Sequence, residues 1–302
     1  MTEPVRSLDA RYYTDPNVFQ IERNGLLAQT WQFGCHTADL AETGAFTTFA
    51  IAGEDLFAIR GRDGKIRVFY NVCQHRAHQL VQGTGTTRVV VCPYHAWTYN
   101  LDGSLRGAPA MTHNDGFCKN NYKLPQIRCE EWLGWVFVTL NPQANPVSEE
   151  LSKVEDLVQD YDMSSYTETF HETHIWNTNW KVLAENFMES YHLPVCHAGT
   201  IGGLSKLDEM ICPPGEAAFN YHTILKDDTL KIALAHPDNT RLKGERRRMT
   251  YLLAIYPSLL ITLTPGYFWY LTLHPHGVDH VRIGFGGGMS EDYVNDTDAQ
   301  EN

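Results

Sequence analysis

Four metal-binding side chains fall in two short segments, Cys73-x-His75 and Cys92-x-x-His95, with sixteen residues between them. Each segment offers one thiolate and one imidazole. Two thiolates on one iron and two imidazoles on the other suit a [2Fe–2S] cluster, whose reduction potential the imidazoles raise to roughly −150 to +300 mV. A structural zinc also takes two Cys and two His, but zinc sites usually pair like with like. We therefore interpret these four residues as cluster ligands.

A second group consists of Glu189, His192 and His197. The first two are three residues apart and would share one face of a helix. The two histidines are five apart with Pro194 between them, which excludes the i,i+4 spacing of helical zinc proteases. Two histidines at this spacing are usually ordinary residues, one at the end of a helix and one after it. A cluster that moves one electron at a time needs an acceptor, however, and this favours a second metal here.

Both groups resemble motifs of the Rieske non-haem iron oxygenases, which include ring-hydroxylating dioxygenases and quaternary-ammonium monooxygenases. The first resemblance extends over Cys73-Gln74-His75-Arg76, Cys92-Pro93-Tyr94-His95-Ala96-Trp97 and Leu101-Asp102-Gly103. It departs from the family at Ala77 and Ala96, where glycine is usual. The second resemblance covers Glu-x-x-His-x-x-x-x-His, preceded by Asn179-Trp180-Lys181 and Glu185-Asn186-Phe187. The resemblance spans nearly the whole chain.

The resemblance implies roles for the second group. His192 and His197 would be two ligands of a 2-His-1-carboxylate Fe(II) site that binds dioxygen. Glu189 would bridge, across a subunit boundary, the cluster ligand His95 of one protomer and His192 of the next. Most family members have aspartate here, and glutamate with the shorter spacing is closer to the branch that acts on quaternary ammonium compounds.

The third iron ligand is not identified in this chain. In the family it is an aspartate well downstream of the last sheet strand. Asp292, Asp296 and Asp298 are available, but we expect each to be a helix-start or solvated charge. The ligand is expected to lie beyond Asn302.

Turn signals and hydrophobic periodicity predict an amino-terminal helix, a small antiparallel β domain, and a second domain with a meander packed on a helix. With the family resemblance, this implies an α+β fold in three parts. Residues 1–43 would be an amino-terminal helical segment that packs on the catalytic domain, 44–145 an antiparallel β Rieske domain, and 146–302 a helix-grip-like catalytic domain with an antiparallel sheet. The predicted helices are Pro16–Gln32, Ser148–Asp160 and Thr178–Tyr191. The predicted strands are Phe49–Ile59 (interrupted at Gly53-Glu54), Arg67–Asn71, Arg88–Cys92, Trp97–Asn100, Trp135–Leu140, Thr250–Tyr256, Leu259–Thr264, Tyr267–His274 and His280–Gly286.

Composition narrows the class of protein. The 302 residues carry a formal charge of −12, which argues against a nucleic-acid partner because phosphate binding needs clustered Lys and Arg. No apolar segment suits a signal peptide or a membrane span. The seven cysteines are scattered and odd in number, which is typical of a reducing compartment. We expect a cytoplasmic protein with no membrane or nucleic-acid partner.

These inferences predict a terminal oxygenase component that takes electrons from a separate reductase or ferredoxin and oxygenates a small organic molecule. NAD(P)H would act only through that partner, and the bridge implies a homotrimer. Hydroxylation or N-demethylation of an alkylammonium compound is favoured by Glu189. An aromatic-ring dioxygenase and an electron carrier without a complete iron site are the alternatives. Sheet aromatics could form the substrate cavity, by cation–π contacts or as an apolar slot: Tyr251, Tyr256, Tyr267, Phe268, Trp269 and Tyr270.

Overall fold

The chain divides into two compact units. A computed structural model describes residues 6–200, 202, 210–226, 229 and 232–296. The smaller unit is Leu27–Val147, and the larger unit combines Met1–Leu26 with Ser148–Asn302. The predicted α+β class is confirmed, since each unit is built on an antiparallel sheet and helices accompany the larger one.

The smaller unit contains ten strands in two antiparallel sheets. A seven-stranded sheet has the order β1-β10-β9-β4-β3-β2-β5, and β6, β7 and β8 form a second sheet. The strands are β1 Gln32–His36, β2 Ala45–Ile51, β3 Glu54–Arg60, β4 Ile66–Tyr70, β5 Thr84–Thr86, β6 Val90–Val91, β7 Thr98–Tyr99, β8 Leu105–Gly107, β9 Gln126–Trp132 and β10 Trp135–Thr139.

Local sequence explains the central hairpin of this sheet. Ala52 and Gly53 both have positive φ, as a two-residue hairpin turn requires, and they place Ile51 opposite Glu54. The predicted interruption of the run Phe49–Ile59 therefore corresponds to this turn. Strand β10 is buried along its whole length, which explains its continuous apolar sequence.

The described residues of the larger unit form one seven-stranded antiparallel sheet, with the order β11-β17-β16-β15-β14-β13-β12. Its strands are β11 Thr167–Trp176, β12 Met210–Ile211, β13 Phe219–Leu225, β14 Met249–Ile255, β15 Leu259–Leu263, β16 Tyr267–Pro275 and β17 Val281–Met289. Its α-helices are α1 Arg11–Thr14, α2 Pro16–Ile21, α3 Val147–Glu150 (which starts at the last residue of the smaller unit), α4 Ser152–Val158, α5 Trp180–Phe187, α6 Leu193–Cys196 and α7 Glu291–Val294.

Helix α5 packs on one face of this sheet. Its apolar side chains contact odd-numbered residues of β16 and β17, because strand residues alternate between faces. The core at this contact comprises Trp180, Ala184, Ala254, Leu260, Leu273, Val281 and Ile283, with Leu183, Phe187, Met188, Tyr256 and Leu271 at its edge. The carboxyl end of α5 is thereby held against the sheet.

On the opposite face of the sheet, glycines in β17 leave room for a tyrosine side chain. Tyr270 lies across that strand, and its hydroxyl donates to Glu168 on β11 at 2.6 Å. A Cβ atom at Gly286 would lie 2.3 Å from the Tyr270 hydroxyl, so a larger residue does not fit there. The small residue allows one tyrosine to link strands β16 and β11.

Three predicted helices differ from the structure. The predicted helix Pro16–Gln32 is replaced by α2 and a π-helical segment, Glu22–Leu27, and Gln32 begins a strand. The segment Ser148–Asp160 is divided between α3 and α4, and Thr178–Tyr191 shortens to α5. The unit boundary at Leu27 assigns residues 27–43 to the smaller unit, whereas the sequence placed them with the amino-terminal segment. No helix among the described residues is long and apolar enough to cross a membrane.

A buried ion pair fastens the amino-terminal segment to α5. The Lys181 ammonium donates to both carboxylate oxygens of Glu22, at 2.8 and 3.0 Å, and the indole N–H of Trp180 donates to the same carboxylate at 3.2 Å. The two charged side chains are only 10% and 14% exposed. Asn179 caps α5 by accepting from the Lys181 amide and donates to the carbonyl of Tyr13. The start of α5 thus depends on residues 13–22.

We predict that Glu22→Ala lowers the free energy of unfolding by about 3–5 kcal/mol, because it leaves the Lys181 ammonium buried without a counter-charge. Urea unfolding followed by tryptophan fluorescence measures the change. The control is Glu216→Ala, which removes the exposed partner of Lys153 and should cost under about 1 kcal/mol. Equal losses in the two variants would contradict the prediction.

Candidate functional site

The four predicted cluster ligands lie on two loops with the same backbone hydrogen bonds. In each loop the cysteine carbonyl accepts from the amide four residues later at 3.0 Å, and the cysteine amide donates to the carbonyl five residues later at 2.8 Å. The partners are Ala77 and His78 for Cys73, and Ala96 and Trp97 for Cys92. Two equivalent fingers therefore present one cysteine and one histidine each.

The alanines that depart from the family pattern retain the loop geometry. Ala77 and Ala96 have φ values of 53° and 57°, in the left-handed region that glycine adopts at least cost. An alanine there costs roughly 1–2 kcal/mol, which the loop hydrogen bonds offset. Alanine at these positions raises the conformational free energy of the loops but does not change their backbone conformation.

The ligands are paired by type in space. Cys73 and Cys92 are both 2% exposed and belong to the same buried cluster of the smaller unit. The rings of His75 and His95 lie 4.7 Å apart. Nδ1 of His75 is buried and makes no hydrogen bond to any described residue, as a nitrogen reserved for a metal requires. Burial raises the pKa of the Cys73 thiol while no metal is bound.

Aromatic residues support this arrangement. The Gln74 amide donates to the Tyr99 hydroxyl oxygen at 3.0 Å, and the hydroxyl lies 3.3 Å from Sγ of Cys73. Because the oxygen already accepts one bond, its hydrogen is positioned to donate to the sulfur. Trp97 stacks on His75 with ring centroids 4.8 Å apart. Tyr99 is fully buried, and burial raises the pKa of its phenol.

The tips of the loops are accessible. His95 is exposed, and Tyr94, which is 55% exposed, stacks on its ring at 3.8 Å. The thiol pair thus lies inside the smaller unit, and one imidazole of the histidine pair reaches its surface. An exposed imidazole is available to a hydrogen-bond acceptor from another molecule.

The second group lies in the turn that follows α5. The helix ends at Phe187, so Glu189 and His192 are not on a helix face, and the sequence interpretation is wrong on this point. Instead the Glu189 carboxylate folds back on its own turn. Its Oε2 accepts from the amides of Tyr191 and His192 at 2.8 and 3.3 Å, and its Oε1 contacts Nδ1 of His192.

The two histidines flank the short helix α6. His192 precedes it and His197 follows it, and their ring centroids lie 5.3 Å apart. Because Nδ1 of His192 faces a carboxylate, that nitrogen carries the proton, and Nε2 is left as the lone-pair donor. This is the tautomer that a metal ligand needs.

The described aspartates near the carboxyl end have other partners. Asp296 accepts from Nε2 of His236 at 2.9 Å, and Asp292 accepts from Asn239 at 3.1 Å. Asp298 lies outside the described residues. Among described residues, no three His, Cys, Asp or Glu side chains gather closely enough to hold a single metal ion. The third iron ligand is therefore still unassigned.

An aromatic cleft of about 400 Å³ opens on the sheet face that α5 covers. It is lined by Thr169, Phe170, Tyr267, Phe268, Trp269, Phe285, Gly288 and Met289. Phe187, the last residue of α5, packs edge-on against Trp269 with centroids 5.5 Å apart. The end of α5 that leads into the histidine turn therefore meets the cleft. Tyr251 and Tyr270 are buried in the core instead, and Tyr256 lies at the edge of the α5 contact.

The remaining sheet histidines have structural surroundings. His171 contacts the Tyr270 hydroxyl at 2.9 Å, and His174 contacts Glu172 at 2.9 Å. His274 has a buried Nδ1 without a hydrogen-bond partner among described residues, which resembles His75. Burial and the nearby Arg282 lower its pKa to about 4. No metal-binding group of His, Cys, Asp and Glu side chains includes it in the part of the chain that the structure describes, so its role is structural.

Two family models match this chain. Residues 30–128 match the Rieske [2Fe-2S] domain, and residues 148–286 match the ring hydroxylating alpha subunit (catalytic domain). The carnitine monooxygenase oxygenase subunit of Escherichia coli (strain K12) is 31% identical over 266 residues, which are 86% of this chain and 68% of the relative. The chain belongs to the Rieske oxygenases. The resemblance stated from the sequence is thereby confirmed.

Other relatives extend the comparison. The glycine betaine monooxygenase oxygenase subunit of Pseudomonas aeruginosa (strain UCBPP-PA14) is 31% identical over 214 residues, 70% of this chain and 50% of that subunit. The chain thus spans between about half and two thirds of these two curated relatives.

Solved structures agree with these matches. The quaternary ammonium Rieske monooxygenase in complex with L-carnitine has a TM-score of 0.81 at 25% identity, covering 96% of this chain and 77% of its own. Naphthalene 1,2-dioxygenase from Rhodococcus sp. has a TM-score of 0.82 at 23% identity, covering 92% and 72%, and shows a shared fold alone.

The residues of this Rieske oxygenase fit the groups that its family implies. Two buried thiols, two adjacent imidazoles and the orphaned Nδ1 of His75 suit a [2Fe–2S] cluster. The fixed tautomer of His192 beside His197 suits two ligands of a mononuclear iron. Sequence reasoning missed the role of Tyr99. The signal was its place in the predicted strand Trp97–Asn100, close after Cys92, because a buried tyrosine needs a polar partner for its hydroxyl. Sequence reasoning also missed Phe170 and Phe285, which become neighbours only through strand pairing.

We predict that Tyr99→Phe lowers the reduction potential of the cluster, because a hydrogen bond to the ligand sulfur stabilises the more negative, reduced form. Each kcal/mol by which the hydrogen bond favours the reduced over the oxidised cluster raises the one-electron reduction potential by roughly 40 mV. A redox titration followed by electron paramagnetic resonance measures the shift.

Tyr122→Phe is the matched control, since this tyrosine packs on Trp97 in the same core and no hydrogen bond joins it to the sulfur of Cys73. An unchanged potential in Tyr99→Phe, or an equal fall in the control, would refute the role of the hydroxyl.

Proposed function

We propose that this chain is the terminal oxygenase component of a monooxygenase that hydroxylates or N-demethylates an alkylammonium compound. The observation that carries the proposal is the contact between the Glu189 carboxylate and Nδ1 of His192. It lies in the turn after α5, whose last residue packs against the aromatic cleft. The relatives named for carnitine and glycine betaine support the substrate class. An aromatic-ring dioxygenase is the second candidate, supported by the apolar lining of the cleft.

Residues are assigned to the two metal centres as follows. Cys73, His75, Cys92 and His95 would hold the [2Fe–2S] cluster, and His192 and His197 would hold Fe(II) with a carboxylate that is not yet identified. When bound, the cluster supplies one-electron transfer and the iron supplies dioxygen activation. The electrons come from a separate reductase or ferredoxin, which NAD(P)H would reduce.

Glu189 would connect the two centres between protomers of a homotrimer. Its side chain is 45% exposed although it already contacts His192, so further lone pairs are accessible to a second donor. His95 is exposed in the smaller unit, as the other end of such a bridge must be. A carboxylate between two imidazoles fixes the tautomer of both rings.

The cleft would orient the substrate. Trp269 and Phe285 contact each other with centroids 6.2 Å apart, and Phe170 contacts Phe285 at 5.1 Å. Aromatic faces attract an alkylammonium group by roughly 0.5–2 kcal/mol when water is excluded. The lining is mostly apolar and so also limits access of water to the bound molecule.

We predict that Glu189→Gln keeps both metals but slows turnover about 100-fold, because an amide cannot accept hydrogen bonds from two imidazoles through equivalent oxygens. Rapid mixing of the reduced enzyme with substrate and dioxygen measures reoxidation of the cluster. The control is Glu172→Gln, which alters another glutamate–histidine contact at His174, outside the proposed site. Normal reoxidation in Glu189→Gln would show that the bridging role is wrong.

We predict reductase-dependent oxygen uptake with carnitine- or betaine-like cations, and a 3- to 30-fold higher KM in Trp269→Leu, which removes a cation–π partner. Trp176→Leu, on the exposed part of β11, should leave KM unchanged. Uptake with ring compounds and none with these cations would favour the dioxygenase.

Metal analysis tests the electron-carrier alternative, since about three irons per chain indicate an oxygenase and about two a carrier.

A further inference from the structure

The turn that carries Glu189 and His192 has one buried anchor. Ser190 is 8% exposed, and it is the only buried residue between positions 185 and 200, all of which the structure describes. Its neighbour Tyr191 is 80% exposed. Phe187 and Met188 pack on the sheet at the start of this segment. Beyond them, Ser190 is the one buried side chain in the stretch that holds the two predicted iron ligands.

The partner of this anchor is a histidine of the sheet. His222 lies in β13 opposite Leu252 and is 2% exposed, and its Nε2 lies 3.2 Å from the Ser190 hydroxyl. Burial lowers the pKa of His222, so the ring is neutral at neutral pH and offers one donor and one acceptor nitrogen. A hydroxyl can complement either nitrogen, and the contact holds the turn on a rigid strand.

The anchor also sets the position of α6. The Ser190 carbonyl accepts from the Leu193 amide at 3.2 Å, and the Leu193 carbonyl accepts from the His197 amide at 3.0 Å. These two bonds join the anchor to the residue after His192 and then to His197. Movement of Ser190 would therefore shift both predicted iron ligands together.

We propose that Ser190 and His222 form a positioning pair that holds the Glu189–His192 turn and α6 on the sheet, so that both iron histidines face one point. This inference rests on the proposed function, because it assumes that His192 and His197 bind the mononuclear iron. Neither residue touches the metal or the substrate. Their effect passes through the backbone of the turn.

The first test measures the turn without reference to iron. Hydrogen exchange of peptides covering residues 188–198 should become about tenfold faster in Ser190→Ala and in His222→Leu, because one buried hydrogen bond is lost. His222→Gln keeps a polar group at the site and should exchange more slowly than His222→Leu. In the double variant Ser190→Ala/His222→Leu the change should not exceed that of the larger single variant, as expected for two partners of one contact.

The matched control is Ser290→Ala. Ser290 is 2% exposed and its hydroxyl has no hydrogen-bond partner among the described residues, so the substitution removes a buried hydroxyl but no bond. Exchange of residues 188–198 should be unchanged in this variant. Unchanged exchange in Ser190→Ala, or an equal effect in the control, would overturn the inference whatever the iron content.

The second test measures iron. Fe(II) titration of the isolated oxygenase, followed by the paramagnetic signal of its nitric oxide complex, should give a dissociation constant about tenfold higher in Ser190→Ala, while the absorption of the cluster is unchanged. If the unaltered protein binds no iron beyond the cluster, the proposed function fails and the exchange data still decide the pair. If it binds iron and Ser190→Ala binds it equally well, the positioning inference fails alone.

Discussion

A histidine can hold a metal only through a ring nitrogen that has no other partner, so the protein must fix each ring while leaving one nitrogen available. The two proposed centres meet this constraint differently. His75 is held by stacking on Trp97, and its Nδ1 is buried without a hydrogen-bond partner in the described part of the chain. His192 is held by a carboxylate at Nδ1, which leaves Nε2 as the donor. Stacking fixes a ring without using either nitrogen, whereas a carboxylate fixes the ring and its tautomer together.

The second arrangement requires an irregular backbone. If α5 continued to Tyr191, as the sequence predicted, the amides of Tyr191 and His192 would donate to helix carbonyls and could not bind Glu189. Ending the helix at Phe187 releases those amides, and the carboxylate accepts both of them. The same ending leaves Phe187 at the aromatic cleft. One helix terminus therefore defines both the metal side and the substrate side of the proposed site.

Sequence reasoning succeeded where chemistry is local. The turn at Gly53 and the strands β14 to β17 follow from turn residues and β-branched or aromatic runs within a few positions, and the assignment of the cluster ligands rests on residue types that are equally local. It failed where a long-range contact decides. Gln32 joins a strand because β1 pairs with β10, about a hundred residues away, and Ser190 differs from any turn serine only because His222 lies beneath it. Strand β11 went unrecognised because its ten residues are mostly polar and exposed, as an edge strand permits.

The left-handed alanines at positions 77 and 96 have a consequence for how such proteins are recognised across genomes. A search pattern that demands glycine at these two positions would reject this chain, although its two loops form equivalent backbone hydrogen bonds. In this chain the left-handed backbone conformation is kept at both positions although the residue is alanine. Patterns that accept any small residue there would therefore recover relatives that stricter definitions overlook.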